Sequence, residues 1–340
     1  MNKLNFKAYQ KENMISWRES HVSLPEKGKQ NGKSYDHIIP QNIWKENVWE
    51  GIRDKSPLPK YLIDYNIQPH TGKHNLLSSW VNCANLYFPI RENISLKKIM
   101  LRFLQQHVSE QITELLGVEL EFSFEQGSDL HPSALLGEMD GGRGTGQTSP
   151  DVAFLVKTAD GDGIVLTESK YTEHSFYSCS ARKIDKKRNR INNPDPKRCI
   201  CKVSYSDYSQ VCHQTIWGRK YIQLIKYSEF GQTSLKRCPA ATAGYQLLRQ
   251  QALAEGIAQK SEELSLVAST VAFDDRNTDL KACLRTTGID DFQTGWGKLF
   301  DGKAMFKTWT HQQWVQFVRD NQKDGEFNSW LEYLSERYGY

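Results

Sequence analysis

The sequence predicts an α/β protein with a mixed central sheet flanked by helices. Three observations predict it: a helical apolar pattern over residues 96–116, three strand-like segments after it, and a helix followed by a strand over 242–273. Helices repeat apolar residues every three or four positions, whereas strands alternate or form short β-branched runs. The predicted core order is therefore αβββαβ, with an N-terminal arm and C-terminal helices around it.

The first half of this core has clear boundaries in the sequence. Ser95 suits the N-cap of the first helix, and Gly117 suits its end. Residues 118–124 alternate apolar and polar side chains, as a half-buried strand does. Two apolar segments, 151–157 and 163–170, flank Asp160-Gly161, a dipeptide typical of tight hairpins. The pattern predicts one strand and then a β-hairpin.

The second half of the core and the tail are predicted mostly as helices. One helix is expected over 206–227 and a stronger one over 242–259. Residues 264–273 are apolar and β-branched, which favours a buried strand lying in the sheet. Two short amphipathic helices are expected over 309–320 and 327–337.

The chain divides into three predicted regions. Residues 1–73 are broken by prolines and form an N-terminal arm or small subdomain. Residues 74–275 form the core, with a basic, cysteine-containing insertion at about 172–205, and residues 276–340 form a helical extension. Although 340 residues suggest about two domains, one enlarged core with additions explains the length better.

Composition excludes several protein classes. An aromatic content of 11% argues against a disordered chain. No window approaches 18 consecutive apolar residues, so we expect no transmembrane helix. The first residues lack the apolar centre of a signal peptide, so we expect a cytoplasmic protein whose seven cysteines stay reduced or bind metal.

Positive charge is concentrated in one segment. The net charge is only +4, but residues 182–202 contain nine basic and two acidic residues. Such a segment neutralises phosphates and favours nucleic-acid binding, although a solvated charge run is the alternative. The predicted nucleic-acid contacts are Arg182, Lys183, Lys186, Lys187, Arg188 and Arg190.

The hairpin carries the residues that suggest chemistry. Glu168 and Lys170 are two positions apart on one strand and therefore share a face, and Asp151 begins the paired strand. Two carboxylates with waters suit Mg²⁺, which activates water and neutralises phosphoryl charge. An acidic residue two positions before lysine occurs five times in the chain, so the spacing alone is weak evidence. The alternative is an ordinary surface Glu–Lys pair.

Three motifs resemble a known family. Pro150-Asp151 with Glu168-Ser-Lys-Tyr-Thr-Glu173 is similar to the PD-(D/E)xK nuclease superfamily, and in detail to a bacterial family of restriction endonucleases. The segment His74-Asn-Leu-Leu-Ser-Ser-Trp-Val-Asn-Cys-Ala-Asn-Leu-Tyr-Phe-Pro89 resembles that family's pre-helix motif. Ala243-Gly-Tyr-Gln-Leu-Leu-Arg249 resembles its Tyr-Gln-Leu helix. The resemblance implies a restriction-endonuclease-like core.

The resemblance also implies residue roles. Asp151, Glu168 and the backbone carbonyl of Ser169 would bind Mg²⁺, with Mn²⁺ able to substitute, and Lys170 would be the catalytic lysine. Members of the superfamily often add an acidic residue from the preceding helix. Glu114 is the candidate here and Glu138 is its rival.

Two other motifs remain open. Cys199, Cys201, Cys212 and His213 have the chemistry of a structural zinc or iron–sulfur site, but not a standard ligand spacing; Cys179 and Cys238 are possible additions. Buried reduced cysteines are the alternative. The string Gly-Gly-Arg-Gly-Thr-Gly at 141–146 suggests a phosphate cradle, but it lacks the Lys-Ser/Thr that nucleotide-binding loops carry, which favours an ordinary loop.

The leading hypothesis is a metal-dependent DNA endonuclease of the restriction or phage-defence type. The alternative is a nucleic-acid-binding module on the same fold that has lost catalysis; a zinc-containing interaction protein is a third and weaker one. DNA is the expected partner, although RNA stays open. A homodimer is plausible because a duplex has two strands to cut.

Overall fold

The structure is a computed structural model that describes residues 5–53, 58–182, 191–201 and 212–340. Its N-terminal half contains a two-stranded hairpin, β1 (Gly28–Gln30) and β2 (Lys33–Tyr35). The helices of that half are α1 (Phe6–His21), α2 (Glu50–Arg53), α3 (Leu58–Asp64), α4 (Ser79–Glu92), α5 (Ile94–His107) and α6 (Pro132–Leu136).

The strands of the main sheet are β3 (Ile112–Leu120), β4 (Val152–Thr158), β5 (Gly161–Lys170), β6 (Leu264–Phe273) and β7 (Met305–Thr310). The later helices are α7 (His213–Ile216), α8 (Tyr221–Leu224), α9 (Glu229–Ser234), α10 (Tyr245–Lys260), α11 (Thr278–Lys281), α12 (Phe292–Gly295), α13 (His311–Asn321) and α14 (Asn328–Tyr338). In the described chain, no helix is long and apolar enough to cross a membrane.

The central sheet is mixed, with strand order β3-β4-β5-β6-β7. Strands β3, β4 and β5 are antiparallel neighbours, whereas β5, β6 and β7 run parallel. Side chains of β5 alternate between two apolar layers: Val165 packs with α4 and α5, and Ile164 and Leu166 pack with α10. The prediction of an α/β fold with a mixed sheet between helices is confirmed.

The first predicted helix was too long. Helix α5 ends at His107, and residues 112–116 belong to β3 instead. Pairing with β4 shifts register between Ile112 and Glu114 and again between Leu115 and Gly117. Such irregularities disturb the two-residue alternation of a strand, so the apolar positions imitate helical spacing. The N-cap is Asn93, which accepts the Leu96 N–H at 2.8 Å, and not Ser95.

The structure differs from the sequence prediction at two further places. The described part of the predicted 206–227 helix forms the short helices α7 and α8, with Gly218 between them at φ +75°. Strand β7 was not predicted at all. Its six residues pair only with β6, so its alternation is short and its place in the sheet depends on partners far along the chain.

The predicted arm and extension pack on the same core as α5. Met14 and Trp17 from α1 lie in that core with Trp314 and Leu334 from the C-terminal helices. Residues 6–21 form a regular helix, although the sequence suggested an irregular segment. The Phe6 ring of α1 and the Tyr338 ring of α14 both pack against Tyr171, which follows β5, the strand that carries the predicted catalytic residues.

Candidate active site

The hairpin brings the predicted catalytic residues together where β4 begins and β5 ends. Val152 pairs with Thr167, which sets Asp151 beside Glu168 at this end of the ladder. The Asp151 Oδ2 accepts the Ser169 backbone N–H at 2.7 Å. In β5, Lys170 Nζ donates to Glu168 Oε1 at 2.6 Å, because residues two apart share a strand face.

These side chains lie largely out of solvent. Lys170 is 3% exposed and Glu168 is 6% exposed. Burial, and then the nearby Glu168 carboxylate, raises the pKa of Asp151 to about 8. Burial by itself would lower the pKa of Lys170, but Glu168, Glu173 and Asp151 outweigh it and raise that pKa. The lysine is therefore a fixed cation between acidic groups.

Glu121 is a site residue that the sequence analysis missed. It follows β3, is 8% exposed, and donates its backbone N–H to the carbonyl of Asp151 at 3.0 Å. Burial, then Asp151 and Glu168, raise its pKa well above the usual range for glutamate. Its φ of +48° ends the strand and breaks the alternation. An acidic residue at the end of the strand beside the Asp151 strand was the available signal.

Carboxyl groups outnumber cationic groups in this cluster. Glu121, Asp151, Glu168 and Glu173 surround Lys170 closely enough to influence one another. Buried carboxylates that repel each other are costly unless protons or a cation neutralise them. The donor set is hard oxygen, which Mg²⁺ prefers. The residues therefore fit a divalent cation held by few protein ligands and completed by water.

A metal ion at this end of the hairpin would have few protein ligands. Across the described residues, no group of three or more His, Cys, Asp or Glu side chains is arranged to hold a metal ion. Asp151 and Glu168 offer two carboxylates at this end of the hairpin, and Ser169 adjoins both through its backbone. Glu121 borders these groups, and its raised pKa favours the protonated form.

The sequence model of a family described as Restriction Endonuclease associating with ARP matches residues 12–339. The chain belongs to this family. The resemblance to restriction endonucleases predicted from the sequence is thereby confirmed. No curated protein and no solved structure matches the chain.

In this member of the family, residues 85–89, the end of the segment 74–89, connect distant parts of the fold. The Asn85 side chain accepts the Trp49 N–H at 2.9 Å and donates to the Tyr338 hydroxyl at 2.9 Å. The Tyr87 hydroxyl accepts from Trp309 Nε1 at 3.0 Å. Helix α4 thus ties the N-terminal region and the C-terminal helices to the sheet.

The motif at 245–249 fixes the loop that precedes Asp151. Arg249 donates to the Thr148 hydroxyl at 2.7 Å and pairs with Glu138 at 3.3 Å. Glu138 also accepts the Thr148 N–H at 2.5 Å and the Tyr221 hydroxyl at 2.6 Å. The rival accessory carboxylate is thus committed to a buried network that anchors this loop.

The prediction for Glu114 is wrong. It is exposed on β3, opposite Lys157, and not on a helix under the sheet. It lies six positions before Leu120, which pairs with Val152 next to Asp151; at about 3.3 Å per position this is about 20 Å along the strand. The predicted helix over residues 96–116 would have allowed Glu114 to approach the site, whereas strand β3 holds it away from the site.

The glycine string at 141–146 forms a loop, as expected because it lacks the Lys-Ser/Thr pair of nucleotide-binding loops. Arg143 points to protein groups there: its Nη2 donates to Glu119 Oε2 at 3.0 Å and to the Tyr61 hydroxyl at 2.8 Å. Gly144, at φ +78°, leaves no room for a Cβ, which would lie 2.3 Å from the Gln68 carbonyl oxygen. The loop therefore packs closely beside Glu121.

Most of the predicted nucleic-acid contacts cannot be placed. Lys183, Lys186, Lys187, Arg188 and Arg190 lie outside the described residues. Arg182 is described, and its Nη1 donates to the Ala241 carbonyl at 2.6 Å. This contact joins the start of the basic segment to the turn before α10.

Among the described residues, the four predicted structural-metal residues are not arranged to hold a metal ion. His213 Nε2 bonds to the Ile191 carbonyl at 2.9 Å, and Cys201 is exposed. Cys199, Cys212 and His213 border a small enclosed cavity together with Cys179 and Cys238, the two possible additions. Burial raises the pKa of Cys212 to about 11.

Proposed function

We propose that this chain is a metal-dependent nuclease that hydrolyses DNA phosphodiester bonds, as a restriction or phage-defence endonuclease acting in the cytoplasm. The observation that carries the proposal is the convergence of Asp151, Glu168 and Lys170 at one end of the β4–β5 hairpin. The order α5, β3, β4, β5, α10, β6 is compatible with a restriction-endonuclease-like core. Family membership supports a nuclease-like role.

Asp151, Glu168 and the Ser169 carbonyl would hold Mg²⁺ in this proposal, and Mn²⁺ is expected to substitute. When bound, the ion would supply charge neutralisation at the phosphoryl group and a more acidic water. The excess of buried carboxylates over cations favours this use. A bound cation would favour the ionised form of Glu121, which would then strengthen the negative field around the ion.

Lys170 would act as a cation and not as a base. Its pKa is raised by the carboxylates around it, so the ammonium keeps its proton at neutral pH. A charged lysine held by Glu168 can orient water and stabilise charge that develops on a phosphate oxygen. The fixed geometry of the pair avoids reorganisation during the reaction.

The basic segment and the oligomeric state complete the proposal. Lys183, Lys186, Lys187, Arg188 and Arg190, with Arg182, would neutralise DNA phosphates near the acidic site. A homodimer would supply two sites for the two strands of a duplex, whereas an unpaired strand requires one. Size-exclusion chromatography with light scattering, with and without DNA, would distinguish these states.

Cleavage of plasmid and single-stranded circular DNA tests the function. We expect cutting in Mg²⁺ or Mn²⁺, none in EDTA, and a loss of about 100- to 1,000-fold in Lys170→Ala, the usual cost of removing one group that stabilises the transition state. Lys157→Ala is the matched control, because Lys157 is exposed on the same hairpin. Equal cutting by Lys170→Ala would exclude this site. DNA binding without cleavage in either metal would support the inactive-module alternative.

A further inference from the structure

Tyr177 is a large aromatic residue that stays exposed beside the buried Lys170. The residue is 53% exposed, although the lysine next to it is 3% exposed. Lys170 Nζ lies over the ring, 5.8 Å from its centroid. Burial and then Glu173 raise the pKa of the Tyr177 hydroxyl, and Glu168 and Asp151 contribute as well. The ring therefore stands next to the carboxylate cluster and remains open to solvent.

The backbone holds Tyr177 in a conformation that bulky residues seldom adopt. Its φ is +56°, in the left-handed region, where glycine and asparagine are the usual residues. The Tyr177 N–H donates to Ser175 Oγ at 3.3 Å, and its carbonyl accepts the Tyr245 N–H at 3.0 Å. Strain of this kind persists only where surrounding structure imposes it, and it is frequent at functional sites.

The neighbouring residue is fixed as firmly. Two backbone hydrogen bonds fix the loop at Phe176. Its N–H donates to the Ala243 carbonyl at 2.7 Å, and its carbonyl accepts the Gln246 N–H at 2.9 Å. Both anchors lie at the start of α10, the helix that packs on the sheet. The ring is thus presented from a rigid support, at little further cost in entropy on binding.

The surroundings indicate what such a ring would bind. A phosphodiester held beside Lys170 would bring its own nucleotide close to the aromatic face. Bases stack on tyrosine without strong sequence preference, because every base has a π-face. In a duplex both faces of a base are covered by its neighbours, so a base must leave the stack to reach such a ring.

We propose that Tyr177 is the stacking platform for an unpaired nucleobase next to the scissile phosphate, so that this site takes single-stranded or locally unpaired DNA. The proposal rests on the proposed nuclease function and names its substrate class. Tyr177 touches substrate in this role and takes no part in proton transfer.

Binding of a fluorescent oligo(dT) in Ca²⁺, followed by anisotropy, tests the platform. We expect Tyr177→Ala to bind about 5- to 150-fold more weakly, as loss of one stacked base predicts. Tyr177→Phe should bind as wild type does, whereas Tyr177→Leu, with similar volume and no ring, should weaken binding as alanine does. Phe230→Ala removes a similarly exposed aromatic, 44% exposed, and is the control.

A single abasic residue moved along the oligonucleotide identifies the contact. Wild type should lose a comparable factor at one position, and Tyr177→Ala should lose nothing more there. The proposal is overturned if Tyr177→Ala binds as wild type does, if no abasic position matters, or if duplex competes as well as single strand. Base-dependent binding without cleavage would leave the platform standing and remove the nuclease proposal. Cleavage without base dependence would do the reverse.

Discussion

Lys170 and Glu168 form a buried ion pair within a single strand, with Nζ 2.6 Å from Oε1. The pair is surrounded by further carboxylates, so the lysine is the cation that offsets several of them. Removing one member of a buried pair leaves the other without compensation, which costs more than removing both. Stability and activity should therefore respond differently to single and double substitutions.

Lys170→Met should destabilise the metal-free protein by about 3–5 kcal/mol, because it leaves Glu168 and its neighbours uncompensated. Adding Glu168→Gln should recover most of this loss and should not recover cleavage. Urea unfolding gives the free energies, and the plasmid assay gives the activity. A single variant as stable as wild type would show that the pair is not coupled in solution.

Metal binding should depend on pH through Asp151. Its pKa is raised to about 8 in the folded protein, against 3.8 as the ordinary value. The folded state therefore holds the proton more tightly, and without metal this group contributes stability that is lost as pH rises from about 4 to about 8. Mg²⁺ must displace that proton, so its increase of Tm should be small at pH 6 and larger above pH 8.

Asp151→Asn serves as the control for this pH dependence, because asparagine carries no titrating proton. Its response to Mg²⁺ should be weak and nearly constant across the range. Differential scanning fluorimetry at fixed ionic strength measures both proteins. An Mg²⁺ effect in wild type that does not change between pH 6 and 9 would contradict the assignment of the proton to Asp151.

Glu121→Gln should change stability and DNA cleavage in opposite directions. Glu121 is buried against Asp151 and Glu168, and its raised pKa favours the protonated form, so glutamine removes the cost of ionising this group and should raise the Tm of the metal-free protein as the pH rises. The same change should weaken Mg²⁺ stabilisation and lower cleavage. Glu114→Gln, an exposed change on the same strand, should leave all three quantities as in wild type. A fall in Tm on Glu121→Gln would mean that its contacts outweigh the cost of ionisation.

Cysteine reactivity should follow exposure. Cys201 is exposed, whereas burial raises the pKa of Cys212 to about 11 and that of Cys283 to about 12. Thiolate is the reactive form, so iodoacetamide at pH 8 should modify Cys201 first. Peptide mass spectrometry would follow each site, and protein unfolded in urea is the control in which all seven react. Early modification of Cys212 would contradict its buried position.

Local patterns were sufficient for much of the fold and of the site. The turn at Asp160-Gly161, the two strands beside it, and the strand at 264–273 follow from side-chain periodicity, which is a property of neighbouring residues. Because the hairpin is local, the meeting of Asp151 with Glu168 and Lys170 could be predicted from the same patterns. Family motifs added the expected roles.

Long-range pairing decided the rest. Irregular register with β4 made a strand of residues that have helical spacing, which removed Glu114 from the site and brought Glu121 to it. Strand β7 exists through its pairing with β6, and Tyr177 reaches Lys170 because α10 holds its loop. Sequence spacing cannot show such contacts, since their free energy comes from partners that only the folded chain brings together.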